Sequence, residues 1–349
     1  MGLGKKHEIK PDLKNGLHII SGIQKIGKTD LTVKIAEHAY GSREKLLMIS
    51  IKNERAYEGK SGIMYEEPQT WKELMNIINS LLKDTEGYDV VSFDVMDWII
   101  PLGEEEIMRQ HTVETKQKPK SFNSCFGGYG EPRKRLNKLI DEFVTKVQLI
   151  EAMTILVSHS KPRNIKSKLG EDEYTILSTN LSFDNFHAFS YRALSFCNIT
   201  NEVQVEENLL KDKERIMYFR GDTSVEAGGR LEYIVEKSEY SAENYCNAIL
   251  DAMKREFEEH GSIGKQKDRK KEVVEEYLEV EDASEAENNS EEKIARIDDL
   301  LEVSKKVADS GVSNKVIMGV YKEYGIKNPK EFTDYKLTEK AIQDLKSLL

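Results

Sequence analysis

The chain has 349 residues, room for one large domain and a small one. Lys and Arg total 52 against 62 Asp and Glu, but Glu272–Glu292 alone holds ten acids and no base, so the remaining 52 acids balance the bases and the acidity belongs to one segment. No apolar run approaches the roughly 18 residues of a membrane span, the opening MGLGKKHEIKPDLKNG offers no apolar stretch for a signal peptide, and three cysteines without a CxxC pair exclude a disulfide framework or clustered zinc site. A cytoplasmic protein with no membrane segment and reduced thiols is the expectation.

From Gly16 to about Lys237, short β-branched runs alternate with segments of helical period, the pattern of a βαβ sheet. The expected strands are Leu17 to Ser21, Leu46 to Ile51, Tyr88 to Phe93, Met153 to Ser158 and Leu194 to Thr200. Apolar stripes at Trp71, Leu74, Ile77, Ile78 and Leu81, and at Leu136, Leu139, Ile140, Phe143 and Val147, predict helices that cover a sheet face. Arg215 to Phe219 and Arg230 to Val235 read as a hairpin finishing the sheet, and Ala242 to Glu259 as a closing helix. Residues 1–261 therefore form one α/β domain. Residues 262–292 are too charged and too poor in large apolar side chains to build a core, and read as an acidic linker. Within 293–349, Ile294 to Ala308, Asn314 to Tyr324 and Thr338 to Leu349 have helical period, a small helical module.

The most specific motif is Gly22-Ile23-Gln24-Lys25-Ile26-Gly27-Lys28-Thr29, which satisfies GxxxxGK[ST] between an expected strand and an expected helix. Its glycines let backbone N–H groups converge on phosphates, and the helix that follows adds its positive N-terminal end. Residues Gly22 to Asp30 (Gly22, Ile23, Gln24, Lys25, Ile26, Gly27, Lys28, Thr29, Asp30) are thus expected to line a nucleoside triphosphate, with Lys28 on the β- and γ-phosphates and the Thr29 hydroxyl on Mg²⁺. The apolar run ending at Asp94 supplies the second magnesium-holding acid, Asp97 being its rival. Glu54, just past the second strand, is placed to polarise an attacking water, or is a plain solvated glutamate. His159, after the fourth strand, is placed to touch the γ-phosphate, or is structural.

Two basic clusters carry aromatic rings nearby. Lys161, Arg163, Lys166 and Lys168 follow His159 with no acid among them, and Phe183, Phe186 and Phe189 come later. Lys116, Lys118, Lys120, Arg133, Lys134 and Arg135 flank Phe122, Phe126 and Tyr129. Cations for phosphates and rings for bases are what a single strand of DNA requires, although locally packed, solvated loops would read the same.

In this order of parts the chain resembles the RecA-like P-loop NTPase core from Leu17 to Glu259, particularly the phage RecA-like nucleotide-binding proteins of single-strand annealing and recombination. The resemblance implies a mostly parallel central sheet and an ATP- and Mg²⁺-dependent ATPase that assembles as a homo-oligomer: Lys28 and Thr29 match the P-loop pair, Asp94 the Walker B acid, Glu54 the catalytic glutamate and His159 the γ-phosphate sensor. Lys52 stands two residues before Glu54, where the family carries Asp. Lys161 to Tyr174 and Ser178 to Ala188 match the DNA-facing loops, and Arg230 the residue that reaches a neighbouring subunit's nucleotide in a homo-oligomer. The resemblance further implies single-stranded DNA as partner, a recombination or single-strand-binding protein met through the helical tail, and the host cytoplasm if the gene is a phage's. A P-loop phosphotransferase for a small molecule, or a nucleotide-binding module without hydrolysis, are the alternatives the motifs leave open.

Overall fold

The computed structural model describes residues 11–166, 173–206, 209–260, 300–310, 312–326 and 335–347. The chain divides into two compact units, residues 1–271 and 272–349. In the first, β1 (Leu17–Gly22), β2 (Leu46–Ser50), β3 (Met64–Glu66), β4 (Val90–Asp94), β5 (Met153–Lys166) and β7 (Ala193–Glu206) run parallel in the order β7-β1-β5-β4-β2-β3. Antiparallel strands extend the sheet beyond β7, where β8 (Leu209–Tyr218) and then β10 (Lys237–Glu239) are added. β6 (Glu173–Thr179) pairs with the outer half of β5, and the two-residue β9 (Gly228–Gly229) with the start of β7. This α/β core has a mostly parallel sheet, with β5 inserted between β1, which leads into the GxxxxGK[ST] loop, and β4, which ends at Asp94.

Every residue of β1, β2 and β4 is buried, as strands covered on both faces must be. The helices are α1 (Lys28–Tyr40), α2 (Trp71–Lys83), α3 (Ile99–Thr115), α4 (Glu131–Leu149), α5 (Phe183–Ser190) and α6 (Ala242–His260). α1 and α6 pack together, and Leu31, Ile35, Tyr245, Ile249 and Met253 form one core with Ile20 and Ile155 of the sheet. On α4, Phe143 is ringed by Phe93 of β4 at 5.5 Å, Trp71 of α2 at 6.2 Å and Phe189 of α5 at 6.3 Å. Of the stripes read from the sequence, Trp71, Leu74, Ile78 and Leu81 on α2 and Leu136, Ile140, Phe143 and Val147 on α4 are buried, while Ile77 and Leu139 are half-buried at the edges of those faces.

α3 carries Pro101 and Gly103, and its helical period is weak for that reason. Pro101 stands in the first turn, where no intrahelical partner awaits its missing N–H. Gly103 lets α4 come close, since a Cβ there would lie 2.5 Å from Leu136 Cδ1.

The hairpin expected from Arg215 to Phe219 with Arg230 to Val235 is not formed. β8 pairs instead with β7 and with Lys237–Glu239. Residues 230–235 turn around the Arg220 guanidinium, which donates to the carbonyls of Leu231 (3.1 Å), Glu232 and Ile234 (3.4 Å). Carbonyls satisfied by a side chain need no strand partner, and Leu231 and Ile234 are buried from the turn itself. The segments expected as DNA-facing loops also differ. Lys161–Lys166 and Glu173–Thr179 are the arms of the β5–β6 hairpin, and Phe183–Ser190 is α5.

In the second unit, a helix over 300–309 (α7), α8 (Asn314–Glu323) and α9 (Tyr335–Lys346) share a core of Leu300, Val307, Ile317, Tyr321, Ala341 and Leu345. The linker expected at 262–292 lies outside the described residues. Among those described, no helix is long and apolar enough to cross a membrane, and all three cysteines are free and buried.

One buried titratable group in the sheet gives the fold a pH dependence. His18 of β1 has no exposed surface, with Nδ1 2.9 Å from Ser195 Oγ and Nε2 3.0 Å from the Leu13 carbonyl. Burial pushes its pKa down from 6.5 to about 4, so the native state holds a neutral imidazole while the unfolded chain takes up a proton below 6.5. Stability is therefore full above pH 6.5 and falls as pH drops toward 4, by on the order of 3 kcal/mol. Chemical denaturation at pH 7 and pH 4.5 should show this loss, and His18→Gln should flatten the part of the profile that His18 causes.

Candidate nucleotide-binding site

The parallel register brings the expected site residues to one end of the sheet. Gly22 stands opposite His159 on β5 and Ile199 on β7, and Asp94 opposite Val157 on β5 and Ser50 on β2. The carboxyl ends of parallel strands are where α/β folds form their crevices.

Between β1 and α1 the chain makes the P-loop turn, with Lys25 at φ 61° and Gly27 at φ 110°. The left-handed region suits glycine, and at Gly27 a side chain would also collide with its surroundings. Gly22 has its own constraint, because a Cβ there would stand 2.8 Å from the Ile199 carbonyl oxygen. Lys28 is buried and its Nζ donates to the Gly22 (2.9 Å) and Ile23 (3.0 Å) carbonyls of the same loop. Burial lowers its pKa, and the negative charges of Asp94, Asp97 and Glu54 oppose that shift. Asp30 is less available than the sequence suggests. Its carboxylate is bound by Lys34 and Lys60, each at 2.8 Å, which against the effect of burial hold its pKa down to about 2.

The Thr29 hydroxyl donates to Asp94 Oδ2 at 2.6 Å. Asp94 is buried, and burial raises its pKa to about 6 against the pull of Thr29 and Lys28. Beside it in register, Ser50 Oγ is buried with no hydrogen-bond partner among the described residues. A hydroxyl, a carboxylate and an orphaned oxygen of this kind suit Mg²⁺, a hard cation that takes one or two protein ligands and keeps its water shell. Among the described residues no group of three or more His, Cys, Asp or Glu could hold a metal ion.

Asp97 is separated from this role. It accepts from the His159 N–H at 2.9 Å and from Ser158 Oγ at 3.1 Å, and meets His159 Nδ1 at 3.1 Å. Next to it, Trp98 donates its indole N–H to Glu54 Oε2 at 3.3 Å. The short turn Met96–Trp98 after β4 thus holds both Glu54 and His159, a connection no spacing in the sequence announces. Lys52 lies in the left-handed region and is paired with Glu105 of α3. Two more side chains reach the P-loop from the antiparallel edge of the sheet, Arg215 and Tyr240.

Arg230 is not among these residues. Its backbone N–H donates to Leu194 and its guanidinium to the Tyr191 carbonyl, at the start of β7 and the far end of β1 from Gly22. On the β5–β6 hairpin, Lys161 is exposed and Lys166 is exposed beside Glu173 at 3.7 Å. Arg163 is committed to the carbonyls of Thr179 and Leu181, while Lys168 lies outside the described residues. Phe186 and Phe189 are buried against Phe196 and Phe143 and offer no ring to a base, because α5 turns them into the core. In the other cluster, Arg135 lies 3.6 Å from the Phe126 ring and pairs with Glu114 and Glu131, and Tyr129 is fully exposed.

A family model described as an AAA domain matches residues 16–231, more than half of the chain. The chain belongs to that AAA domain family. Among solved structures, a KaiC-like protein from the hyperthermophilic archaeon Pyrococcus horikoshii aligns with 59% of this chain and 78% of its own, at 13% identity and a TM-score of 0.30. No curated protein matches the sequence. The matched AAA domain begins one residue before β1 and contains the P-loop, Glu54, Asp94 and His159. Nucleotide binding by a P-loop ATPase domain is what family and geometry share.

Holding Asp94 ionised in a buried site costs the nucleotide-free AAA domain on the order of 3 kcal/mol at neutral pH, since its folded pKa lies about two units above the ordinary value. Asp94→Asn should therefore raise the melting temperature of the nucleotide-free protein. The same variant should lose the extra stabilisation that Mg²⁺ adds to bound nucleotide, which melts with nucleotide in EDTA and in magnesium would measure.

Proposed function

We propose that this AAA domain hydrolyses ATP with Mg²⁺ and couples the reaction to single-stranded DNA. The observation that supports the hydrolytic part is the 2.6 Å contact of Thr29 with Asp94 next to the buried Lys28, a hydroxyl and a carboxylate suited to Mg²⁺ beside a cation suited to phosphate. Thr29 and Asp94 would hold Mg²⁺, which would supply neutralisation of phosphate charge. Lys28 leaves its loop carbonyls for phosphate oxygens and stabilises charge on the transferring group. Glu54 orients the attacking water and accepts its proton, with the Trp98 indole fixing one carboxylate oxygen. His159, its Nδ1 held by Asp97, presents Nε2 to the γ-phosphate.

Support for the DNA part comes from β5, which runs without a break from the sheet through His159 into the hairpin carrying Lys161 and Lys166. On that hairpin, Ile165 and Tyr174 are partners in register and both are exposed, so cations for backbone phosphates stand beside an aromatic ring for a base. A buried polar layer lies at its root. Ser21, one residue before the P-loop, shares a hydrogen bond with Ser160; Ser160 donates to Asn198, and Asn198 to the Glu226 carbonyl, whose carboxylate takes the Ser178 hydroxyl of β6. The exposed position of Arg230, away from its own P-loop, suits a residue that serves a neighbouring subunit in a homo-oligomer. The recombination setting and a protein partner for the helical tail rest on the sequence resemblance.

ATP turnover measured with Mg²⁺, with and without single-stranded DNA, tests this reading. Lys28→Ala should lower DNA-stimulated turnover by roughly a hundredfold or more; a variant within tenfold of wild type would contradict the role of Lys28. Tight nucleotide binding without turnover would mark a non-hydrolysing module, and stimulation by a nucleoside or sugar a phosphotransferase. Replacing Lys161 and Lys166 together with Ala should weaken DNA binding and reduce the slope of log affinity against log salt by roughly 1 to 2.

A further inference from the structure

The side of the P-loop that faces away from β5 is closed by two residues far away in sequence. Arg215 lies on β8 and Tyr240 just past β10, and the Tyr240 N–H donates to the Arg215 carbonyl at 2.9 Å. Their side chains stack, with the guanidinium 4.1 Å from the phenol ring. Arg215 Nη1 then donates to the Ile26 carbonyl at 3.3 Å, and the Tyr240 hydroxyl to the Gly27 carbonyl at 2.7 Å. Gly27 O also accepts the first helical bond, from Leu31 N at 2.9 Å. The fit is close, since a Cβ on Gly27 would stand 2.8 Å from both Arg215 Nη1 and Tyr240 Oη.

Each of these carbonyls belongs to a planar peptide whose N–H points the opposite way. Ile26 C=O shares its plane with Gly27 N–H, and Gly27 C=O with Lys28 N–H. Fixing the oxygens aims the two N–H groups, and a charged donor on the oxygen polarises the peptide toward greater positive charge on its hydrogen. Gly27 is where such fixing matters, because glycine at φ 110° retains more conformational freedom than any other residue. Burial first, and then the Asp30 charge, push the Tyr240 phenol well up, so it remains a donor at neutral pH.

We propose that Arg215 and Tyr240 are positioning residues of the phosphate site, a clamp on the carbonyl side of the P-loop that presents the Gly27 and Lys28 N–H groups to the nucleotide. The proposal rests on the nucleotide-binding reading above. It gives the antiparallel edge strands a part in the site, and it predicts an effect on binding of the diphosphate as well as the triphosphate, because both ligands use the same loop.

Calorimetric titration of the full chain with Mg-ADP and with the magnesium complex of a non-hydrolysable ATP analogue tests it, beside ATP turnover and nucleotide-free melts. Tyr240→Phe, which removes one oxygen and keeps the stacked ring, should weaken both ligands by about tenfold, the scale of one lost hydrogen bond. Arg215→Ala should weaken both at least as much, and Arg215→Lys, which retains the charge, should recover part of the loss. KM should rise while kcat at saturating ATP stays within about threefold of wild type. Unchanged affinity in both variants would overturn the proposal, as would lower nucleotide-free melting with unchanged affinity. So would a fall in kcat with ADP affinity intact, since that would place Arg215 on the γ-phosphate. Failure of the wild type itself to bind either ligand would instead overturn the reading of the site.

Discussion

Two opposite charges are buried within one pocket at the carboxyl end of the sheet, and neither is at ease there. Desolvation pushes the Lys28 ammonium and the Asp94 carboxylate each toward its neutral form, and each partly relieves the other. Removing two ions from water costs more than their mutual attraction returns unless further hydrogen bonds complete their shells. Here the completion is partial: Lys28 rests on two carbonyls of its own loop, Asp94 on the Thr29 hydroxyl, and Ser50 Oγ on nothing described. A triphosphate carrying a divalent cation brings the missing charge of both signs. A ligand that supplies that charge would therefore stabilise the pocket as well as bind to it.

The rest of the core can be understood as support for that pocket. β5 separates the P-loop strand from the Asp94 strand, and on it Val157 stands opposite Asp94 and His159 opposite Gly22, so the strand passes between the two halves of the site before it continues into the β5–β6 hairpin. The turn after β4 then uses neighbouring residues for different tasks. Asp97 orients His159, and Trp98 orients Glu54, so one short segment fixed to the Asp94 strand sets both groups. The polar layer of Ser21, Ser160 and Asn198 would be expensive in an apolar sheet, and it is tolerated because each hydroxyl and amide finds a partner.

How much of this could be read from the chain depends on the range of the interaction that fixes each part. The P-loop is local: eight residues contain the glycines, the lysine and the threonine, and the strand and helix on either side carry ordinary periodicity. Asp94 is local as well, since an apolar strand must end somewhere, although only Thr29 decides between it and Asp97. Glu54 and His159 could be placed at strand ends, but Trp98 and Asp97, which orient them, come from another strand's turn. Where periodicity failed, a side chain had replaced the backbone pattern. Arg220 satisfies the carbonyls of 231, 232 and 234, so an apolar segment that reads as a strand folds as a turn. Phe186 and Phe189 resemble a base-stacking set in sequence and are core residues in space, because α5 has too few other large apolar groups to cover β7 and α4.

The edge strands follow the same rule at longest range. β8 and β10 run antiparallel to the core and end a sheet whose nucleotide-facing centre is parallel, and nothing in their composition points to a phosphate. Yet the register that pairs Ser238 with Met217 and Glu239 with Ile216 brings Tyr240 level with Arg215, one residue beyond the last paired position, and both level with the loop after β1. A slip of β10 by one residue against β8 would turn Tyr240 to the other face of the sheet and leave the Gly27 carbonyl without its hydroxyl, while Arg215 stays where β7 holds β8. Sheet register, set by Met217 in the main core and by Ile216 and Tyr218 packed with Val225 on the other face, therefore also bears on the electrostatics of the P-loop, which ties a packing decision on one edge to the chemistry at the centre.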